Sequence, residues 1–194
     1  MAQAVTREVK QDPTEDPQDL LRELLEQKEL GNKYFTEGNN TMASETWAKA
    51  TLKLIRLERS NVWARMKAET DEDWHNSITE IFFQLNSNMA MNTLRVMQKA
   101  ESTNPELAGQ YAGSLYNAVQ SASGASNMFG TSWRPSEEQD VKLAYRLAAA
   151  HRIARDNIDV AEHCINEAAR RFPDNATIQW EKKKIRQWRA SGGW

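Results

Sequence analysis

The feature that most constrains the fold is an alternation of small and aromatic residues at helical spacing between positions 31 and 50. Two segments rich in helix-forming residues carry it, and a Gly-Asn-Asn turn signal at 38–40 separates them. The small residues let two antiparallel helices approach closely, and the aromatic rings fill the space between the helices. This part of the chain therefore predicts a tight helical hairpin, formed by Gly31, Tyr34, Ala43, Trp47 and Ala50.

Apolar residues recur at helical spacing along the rest of the chain, and no stretch alternates with a period of two. The first helix is expected to begin at 16–17, and the second, capped by Asn40 or Thr41, to continue through the polar residues 56–69. A third helix is expected after an acidic start signal, and a fourth after the Asn-Pro pair at 104–105.

Residues 121–135 are rich in Ser, Gly and Asn and predict a loop, in which Trp133 packs back onto the body of the protein. A capping box at 136–139 then opens another helix. Along this helix Arg152 and Arg155 are expected to stay exposed, because an unpaired buried arginine is strongly unfavourable.

The last predicted helix begins after the cap signal Asp174-Asn175 and carries two faces of different character. Ile178, Ile185 and Trp188 form its apolar face, and the lysine run at 182–184 lies on the opposite side. We interpret the lysine run as a solvated outer face.

The series Leu30, Gly31, Tyr34, Ala43, Trp47 and Ala50 resembles one tetratricopeptide repeat, a helix–turn–helix unit of about 34 residues. Weaker matches follow in the second and third helix pairs. The resemblance implies an all-α superhelix of three such repeats, at about 20–60, 72–122 and 136–172, closed by a capping helix at about 175–190. It also implies a concave groove lined by the first helix of each pair. Residues 18–194 are then a single domain.

Residues 1–17 contain several charged residues, two prolines and little apolar content, and they predict a disordered lead-in. The N-terminus lacks the apolar core of a signal peptide, and no apolar run approaches the roughly 20 residues of a membrane span. We therefore expect a cytoplasmic protein.

Composition and residue spacing argue against several classes of protein. The net charge of -2 provides no global field for a nucleic acid or a membrane surface, so any basic site has to be a local cluster. The single cysteine, Cys164, excludes an internal disulfide and indicates a reducing compartment. His75, His151 and His163 do not have metal-ligand spacing, and no glycine-rich phosphate loop occurs. The sequence predicts no metal, no cofactor and no catalytic residues.

Five polar residues on the first helices of the predicted pairs could form an anion site. Lys28 with Asn32, and Lys142 with Arg146, are each spaced i, i+4, so each pair projects from one side of its helix. Asn88 lies on the helix between them. Lys and Arg form charge-assisted hydrogen bonds to carboxylates, and Asn amides donate without adding charge. Together they predict a site for two neighbouring carboxylates.

The same five residues resemble the carboxylate clamp of chaperone-binding tetratricopeptide domains. Lys28 and Asn32 match its Lys-x-x-Gly-Asn segment, Asn88 matches the Asn of its third helix, and Lys142 and Arg146 match its Lys-x-x-x-Arg pair. The resemblance implies a non-enzymatic co-chaperone or adaptor that binds the Glu-Glu-Val-Asp tail of seventy- or ninety-kilodalton heat-shock chaperones. Lys28, Asn32 and Asn88 would hold the terminal aspartate, and Lys142 and Arg146 the upstream carboxylates and carbonyls.

Two alternatives remain open. The chain could be a tetratricopeptide scaffold that binds another protein or peptide without a clamp, through its convex face or residues 121–135. It could also bind a small molecule, or RNA through the basic face at 182–189 with Trp180 and Trp188.

Overall fold

The computed structural model describes residues 16–192, in which every regular element is a helix, so the predicted all-α fold is confirmed. The predicted lead-in lies outside the described residues except for its last two positions, and so does Trp194. The helices are α1 (Pro17–Thr36), α2 (Asn40–Glu58), α3 (Asn61–Glu69), α4 (Glu72–Ala100), α5 (Pro105–Gln110), α6 (Ala112–Ser123), α7 (Ala125–Phe129), α8 (Glu137–Ala154), α9 (Ile158–Arg171) and α10 (Ala176–Ala190).

Most helices begin at the polar caps that the sequence indicates. Asp16 accepts from the first backbone amides of α1, Asn104 caps α5, and Ser136 forms the predicted capping box with Gln139. The cap of α2 was predicted wrongly. It is Asn39, whose side chain accepts from the backbone amide of Met42 at 3.2 Å, so the helix begins one or two residues earlier than expected.

The hairpin of α1 and α2 is as tight as its small residues predict. Trp47 is fully buried, and its Nε1 donates to the backbone oxygen of Lys28 at 3.2 Å. The ring lies so close to Gly31 that a Cβ there would stand 2.2 Å from this nitrogen. Near the start of α1 and the end of α2, Lys53 pairs with Glu23 at 2.6 Å, so the two helices run antiparallel.

The expected continuation of α2 through residues 56–69 is wrong. The helix ends at Glu58, and a short separate helix, α3, follows. Its Trp63 packs against Trp74 and Phe129, with ring centroids 5.7 and 5.3 Å apart. The chain has to turn after α2 to bring this aromatic side chain into the core, where it is buried.

Residues 121–135 are also more ordered than the predicted loop. They include the end of α6 and all of α7, and Ala122, Ala125 and Phe129 are buried. The predicted packing of Trp133 is confirmed, because its ring lies 5.2 Å from that of Phe83. Buried alanines and one phenylalanine among Gly, Ser and Asn explain why composition alone misidentified this segment.

The prediction that Arg152 stays exposed is wrong, and Arg155 alone of the pair is exposed. Arg152 is buried between α4, α8 and α10, where it pairs with Glu101 and the fully buried Glu181. The two carboxylates compensate its charge, which is the condition under which a buried arginine is tolerated.

The long helix α4 lies at the centre of the described structure. It contacts α1 and α2 on one side and α6, α7 and α8 on the other. Helices α8 and α9 pack together, and α10 covers both. Because α1, α4 and α8 are successive neighbours, polar residues on these three helices can meet on one surface.

Candidate functional site

The candidate site begins on α1, where Lys28 and Asn32 lie one turn apart. Lys28 is largely buried, with 17% of its side chain exposed, and its Nζ donates to Oε1 of Gln84 on α4 at 3.0 Å. The position of this ammonium group is therefore fixed by a contact between two helices.

Glu29 places a carboxylate between the two donors of α1. Its Oε1 lies 3.2 Å from Nζ of Lys28, and its Oε2 accepts from Nδ2 of Asn32, also at 3.2 Å. These two hydrogen bonds lower the pKa of Glu29, the bond from Lys28 most, so the carboxylate stays ionised at neutral pH. Lys28 and Asn32 therefore already bind one carboxylate, supplied by the chain itself.

Asn88 joins the α1 residues to α4. Its Nδ2 donates to Oδ1 of Asn32 at 2.9 Å, across the interface of the two helices. Both amides are partly exposed. The structure therefore brings three of the five predicted site residues, Lys28, Asn32 and Asn88, into one hydrogen-bonded group with Glu29 and Gln84.

Arg146 extends this group to α8. One of its terminal nitrogens donates to the backbone oxygen of Ser87 at 2.9 Å and to the hydroxyl of Ser87 at 2.6 Å. Ser87 precedes Asn88 in the chain, so the guanidinium group lies on the segment of α4 that carries the amide.

Burial shapes the electrostatics of Arg146, which is only 9% exposed. Burial lowers its pKa to about 10, so the guanidinium group remains charged at neutral pH. Between residues 16 and 192, its hydrogen-bond partners are neutral and no carboxylate pairs with it. A buried cation without a counter-charge favours the approach of an anion.

Lys142 stands apart from the other four predicted residues. It is one turn before Arg146 on α8, its side chain is 55% exposed, and it pairs with Glu138 at 2.6 Å. It also lines a cavity of about 310 Å³ between α8 and the start of α10, with Val141, Tyr145 and Ile178 among the walls. The contacts of Lys142 do not include the Lys28–Asn32–Asn88 group.

Three residues that complete the site were not predicted from the sequence, namely Glu29, Gln84 and Ser87. Gln84 is spaced i, i+4 from Asn88, so it shares a side of α4 with that residue. This spacing was a usable signal. The contacts of Glu29 and Ser87 depend on side-chain conformation and helix packing, which spacing does not provide.

Other functional groupings are limited. In the part of the chain that the structure describes, no three or more His, Cys, Asp or Glu residues are close enough to hold a metal ion. None of the helices there has both the length and the apolar character needed to cross a membrane. The ring of His151 stacks on Tyr116 and forms a hydrogen bond with Asp156 at 2.6 Å, so its contacts are structural.

None of the protein-family models searched matches the sequence, and no curated protein matches it. A function for these residues has to come from their own chemistry and geometry.

Proposed function

We propose that the protein is a cytoplasmic, non-enzymatic adaptor of the tetratricopeptide type that binds the acidic C-terminal tail of a heat-shock chaperone through a carboxylate clamp. The observation that carries the proposal is the hydrogen bond between Asn32 of α1 and Asn88 of α4, with Lys28 beside Asn32 and with Arg146 of α8 bonded to Ser87, the neighbour of Asn88. Two cations and two amide groups on three neighbouring helices suit a chain end that carries two neighbouring carboxylates.

The Glu29 contacts support this proposal on chemical grounds. Lys28 and Asn32 contact the two oxygens of the Glu29 carboxylate, so the pair is able to bind a carboxylate. Because 66% of the Glu29 side chain is exposed, it can turn toward solvent when a ligand arrives. A carboxylate of the ligand then replaces the Glu29 carboxylate at Lys28 and Asn32, so the net gain in binding free energy is modest.

Arg146 supplies the longer-range attraction in this proposal. Its charge is buried against neutral partners, so a negative group near α8 is stabilised by a field that solvent screens weakly. Lys142 is exposed, and its ion pair with Glu138 is replaced by an ion pair with an upstream carboxylate of the ligand. Such tails bind with modest affinity, because the disordered peptide loses conformational entropy on binding.

Single substitutions of the two lysines test the clamp. A peptide ending in Glu-Glu-Val-Asp is titrated into the protein and into Lys28→Ala and Lys142→Ala variants, with affinity measured by fluorescence anisotropy. Because each lysine gives up a carboxylate of the chain for one of the ligand, loss of either lysine should weaken binding about two- to fivefold. Lys99→Ala, an exposed cation at the far end of α4, is the matched control and leaves affinity unchanged. If both clamp variants keep the affinity of the unaltered protein and their helicity, the proposed clamp is wrong.

The alternative without a clamp is favoured by one observation, that Lys142 and Glu138 already neutralise each other. In that case a different surface, such as the exposed part of residues 131–134, binds the partner. Deleting residues 121–135 would remove the buried Phe129 and unfold the core, so the suitable variant is Arg134→Glu. Loss of partner binding in this variant, with both lysine variants unaffected, selects the scaffold.

A further inference from the structure

The outer face of α10 combines an exposed tryptophan with a group of cations. Trp180 has 53% of its surface exposed, and Nζ of Lys184 lies 3.7 Å from the centre of its ring. Lys183 and Arg186 are exposed beside it, and Lys182 is partly exposed. These residues, Trp180, Lys182, Lys183, Lys184 and Arg186, are called the basic face below.

The charge of this basic face is of one sign. The carboxylate within this part of α10 is Glu181, which points inward, is fully buried and pairs with Arg152. Arg189 is not counted, because it pairs with Asp159 and Glu162 on α9. One helix therefore carries two exposed cations, Lys183 and Arg186, and two partly exposed ones, Lys182 and Lys184, in a protein whose net charge is -2.

A polar cleft adjoins the basic face. It has a volume of about 250 Å³, and Arg155, Lys184, Gln187 and Ser191 are among the residues that line it. The carboxylate of Glu101, which pairs with Arg152, lies near this cleft, and the charges of Lys184 and Arg155 help to lower its pKa. Lys184 thus belongs to both features, and the cleft continues the donor-rich surface toward α8.

Solubility alone does not explain this surface. A terminal helix needs a polar outer face, and cations near its C-terminal end interact favourably with the helix dipole. Neither requirement calls for a large exposed aromatic ring, and acidic residues in the first half of the helix would serve solubility equally well. The basic face has the composition of a docking surface for a negatively charged partner.

We propose that the basic face of α10 docks onto an anionic membrane surface, with Lys183 and Arg186 facing lipid phosphate and carboxylate groups and Lys182 and Lys184 at the two sides of the contact. Trp180 would lie at the level of the headgroups, where its amphipathic ring is favourably placed. Helix α10 would lie on the membrane without crossing it. This proposal does not rest on the peptide site, which uses α1, α4 and α8.

Geometry favours a membrane over a single-stranded nucleic acid. Binding of a single strand uses a positively charged groove with several aromatic side chains on which successive bases stack. Here the cations lie along the outside of one helix with one exposed ring. Trp180, Lys183 and Arg186 are exposed and lie within about 120° of one another around the helix, so these three can reach a flat charged surface together, while Lys182 and Lys184 flank them.

The test is co-sedimentation of the full chain with phosphatidylcholine vesicles that contain phosphatidylserine, compared with vesicles of phosphatidylcholine alone. The protein is expected to sediment with the anionic vesicles only, and to be released in about 1 M salt, where the Debye length is about 3 Å. Each Lys or Arg lost should weaken binding about fivefold. Lys183→Glu/Arg186→Glu should therefore stay in the supernatant, and Trp180→Ala should show weakened binding.

Lys49→Glu/Lys99→Glu is the matched control, since it makes the same change in net charge at exposed positions of α2 and α4. It should sediment like the unaltered protein, and circular dichroism should be alike for all variants. The proposal is overturned if the unaltered protein ignores anionic vesicles, or if the control loses as much binding as the α10 variant. Binding of a single-stranded RNA oligonucleotide through these residues, without vesicle binding, would assign the basic face to nucleic acid instead.

Discussion

At the scale of single residues, the carboxylate of Glu29 lies where the proposed ligand's carboxylate would bind, in contact with Lys28 and Asn32. We predict that Glu29→Gln strengthens binding of an acidic C-terminal peptide about two- to fivefold, the range expected for loss of an exposed competing ion pair. Fluorescence anisotropy measures the change. Glu26→Gln removes the same charge from α1 without touching either donor, and an equal gain in that variant would contradict competition at the site.

A second residue-scale prediction concerns Asp156, which joins α6 to the start of α9. Burial raises its pKa, but hydrogen bonds from Tyr116 and with His151, each 2.6 Å long, lower it by more, so the pKa lies below its usual value. Because the folded-state pKa is depressed, the contribution to stability is fully present above the unfolded pKa of about 4. It is lost as pH falls through the folded-state pKa.

Tyr116→Phe removes one of these donors and should raise the folded-state pKa of Asp156. The loss of stability with acid below about pH 4 should then be smaller than in the unaltered protein. Urea unfolding at a series of pH values provides the comparison. An identical acid dependence in the two proteins would mean that the Tyr116 bond does not set the pKa of Asp156.

Much of the site at this scale follows from residue type and spacing, and part of it cannot. The i, i+4 pairs of Lys28 with Asn32 and Lys142 with Arg146 place each pair on one side of a helix. That spacing does not predict that Lys142 pairs with Glu138, or that Arg146 is buried and bonded to Ser87. Those contacts depend on rotamers and on how α4 and α8 pack.

At the scale of helices, the contact of Gly31 with Trp47 sets the separation of α1 and α2. We predict that Gly31→Ala destabilises the protein by about 1–3 kcal/mol, because its Cβ would overlap the indole and force the helices apart. Urea unfolding measures the loss. Gly113→Ala, in α6 with open space around it, should instead be neutral or stabilise by up to about 1 kcal/mol. Equal effects at the two positions would contradict the role of close approach.

Arg152 links three helices, since it pairs with Glu101 of the α4 C-cap and Glu181 of α10. We predict that Arg152→Met destabilises the protein by about 3–5 kcal/mol, because Glu181 is left buried and unpaired. Adding Glu181→Leu should recover most of this loss, since the remaining carboxylate, Glu101, is one-third exposed. Thermal unfolding distinguishes the outcomes, and no recovery in the double variant would mean that Arg152 acts through packing alone.

The helices themselves were predictable to different degrees. Polar caps such as Asp16 and Ser136 indicate where helices begin, because each provides an acceptor for backbone amides that the helix leaves free. The short helices α3 and α7 were not foreseen. They are stabilised by contacts of Trp63 and Phe129 with residues distant in the sequence, and local composition does not predict such contacts.

At the scale of the whole molecule, α4 is the element that relates the other parts. It lies between α1 and α8: its Asn88 bonds to Asn32 of α1, and its Ser87 bonds to Arg146 of α8. Helix α10 covers α8 and α9 and presents its cations outward. The proposed peptide site and the proposed membrane surface therefore use different helices, and variants can separate the two activities.

In the proposed function, donors of α1, α4 and α8 bind one carboxylate-bearing chain end together. Nuclear magnetic resonance of the side-chain amide groups of Asn32 and Asn88 and of the Arg146 guanidinium tests it most directly, with Asn32→Ala and Asn88→Ala variants to assign the amide signals. Titration with a Glu-Glu-Val-Asp peptide that has a free C-terminal carboxylate should shift all three signals along one binding curve, and the same peptide with an amidated C-terminus should shift them far less. Binding of the free-acid peptide that leaves these three signals unmoved would contradict the account.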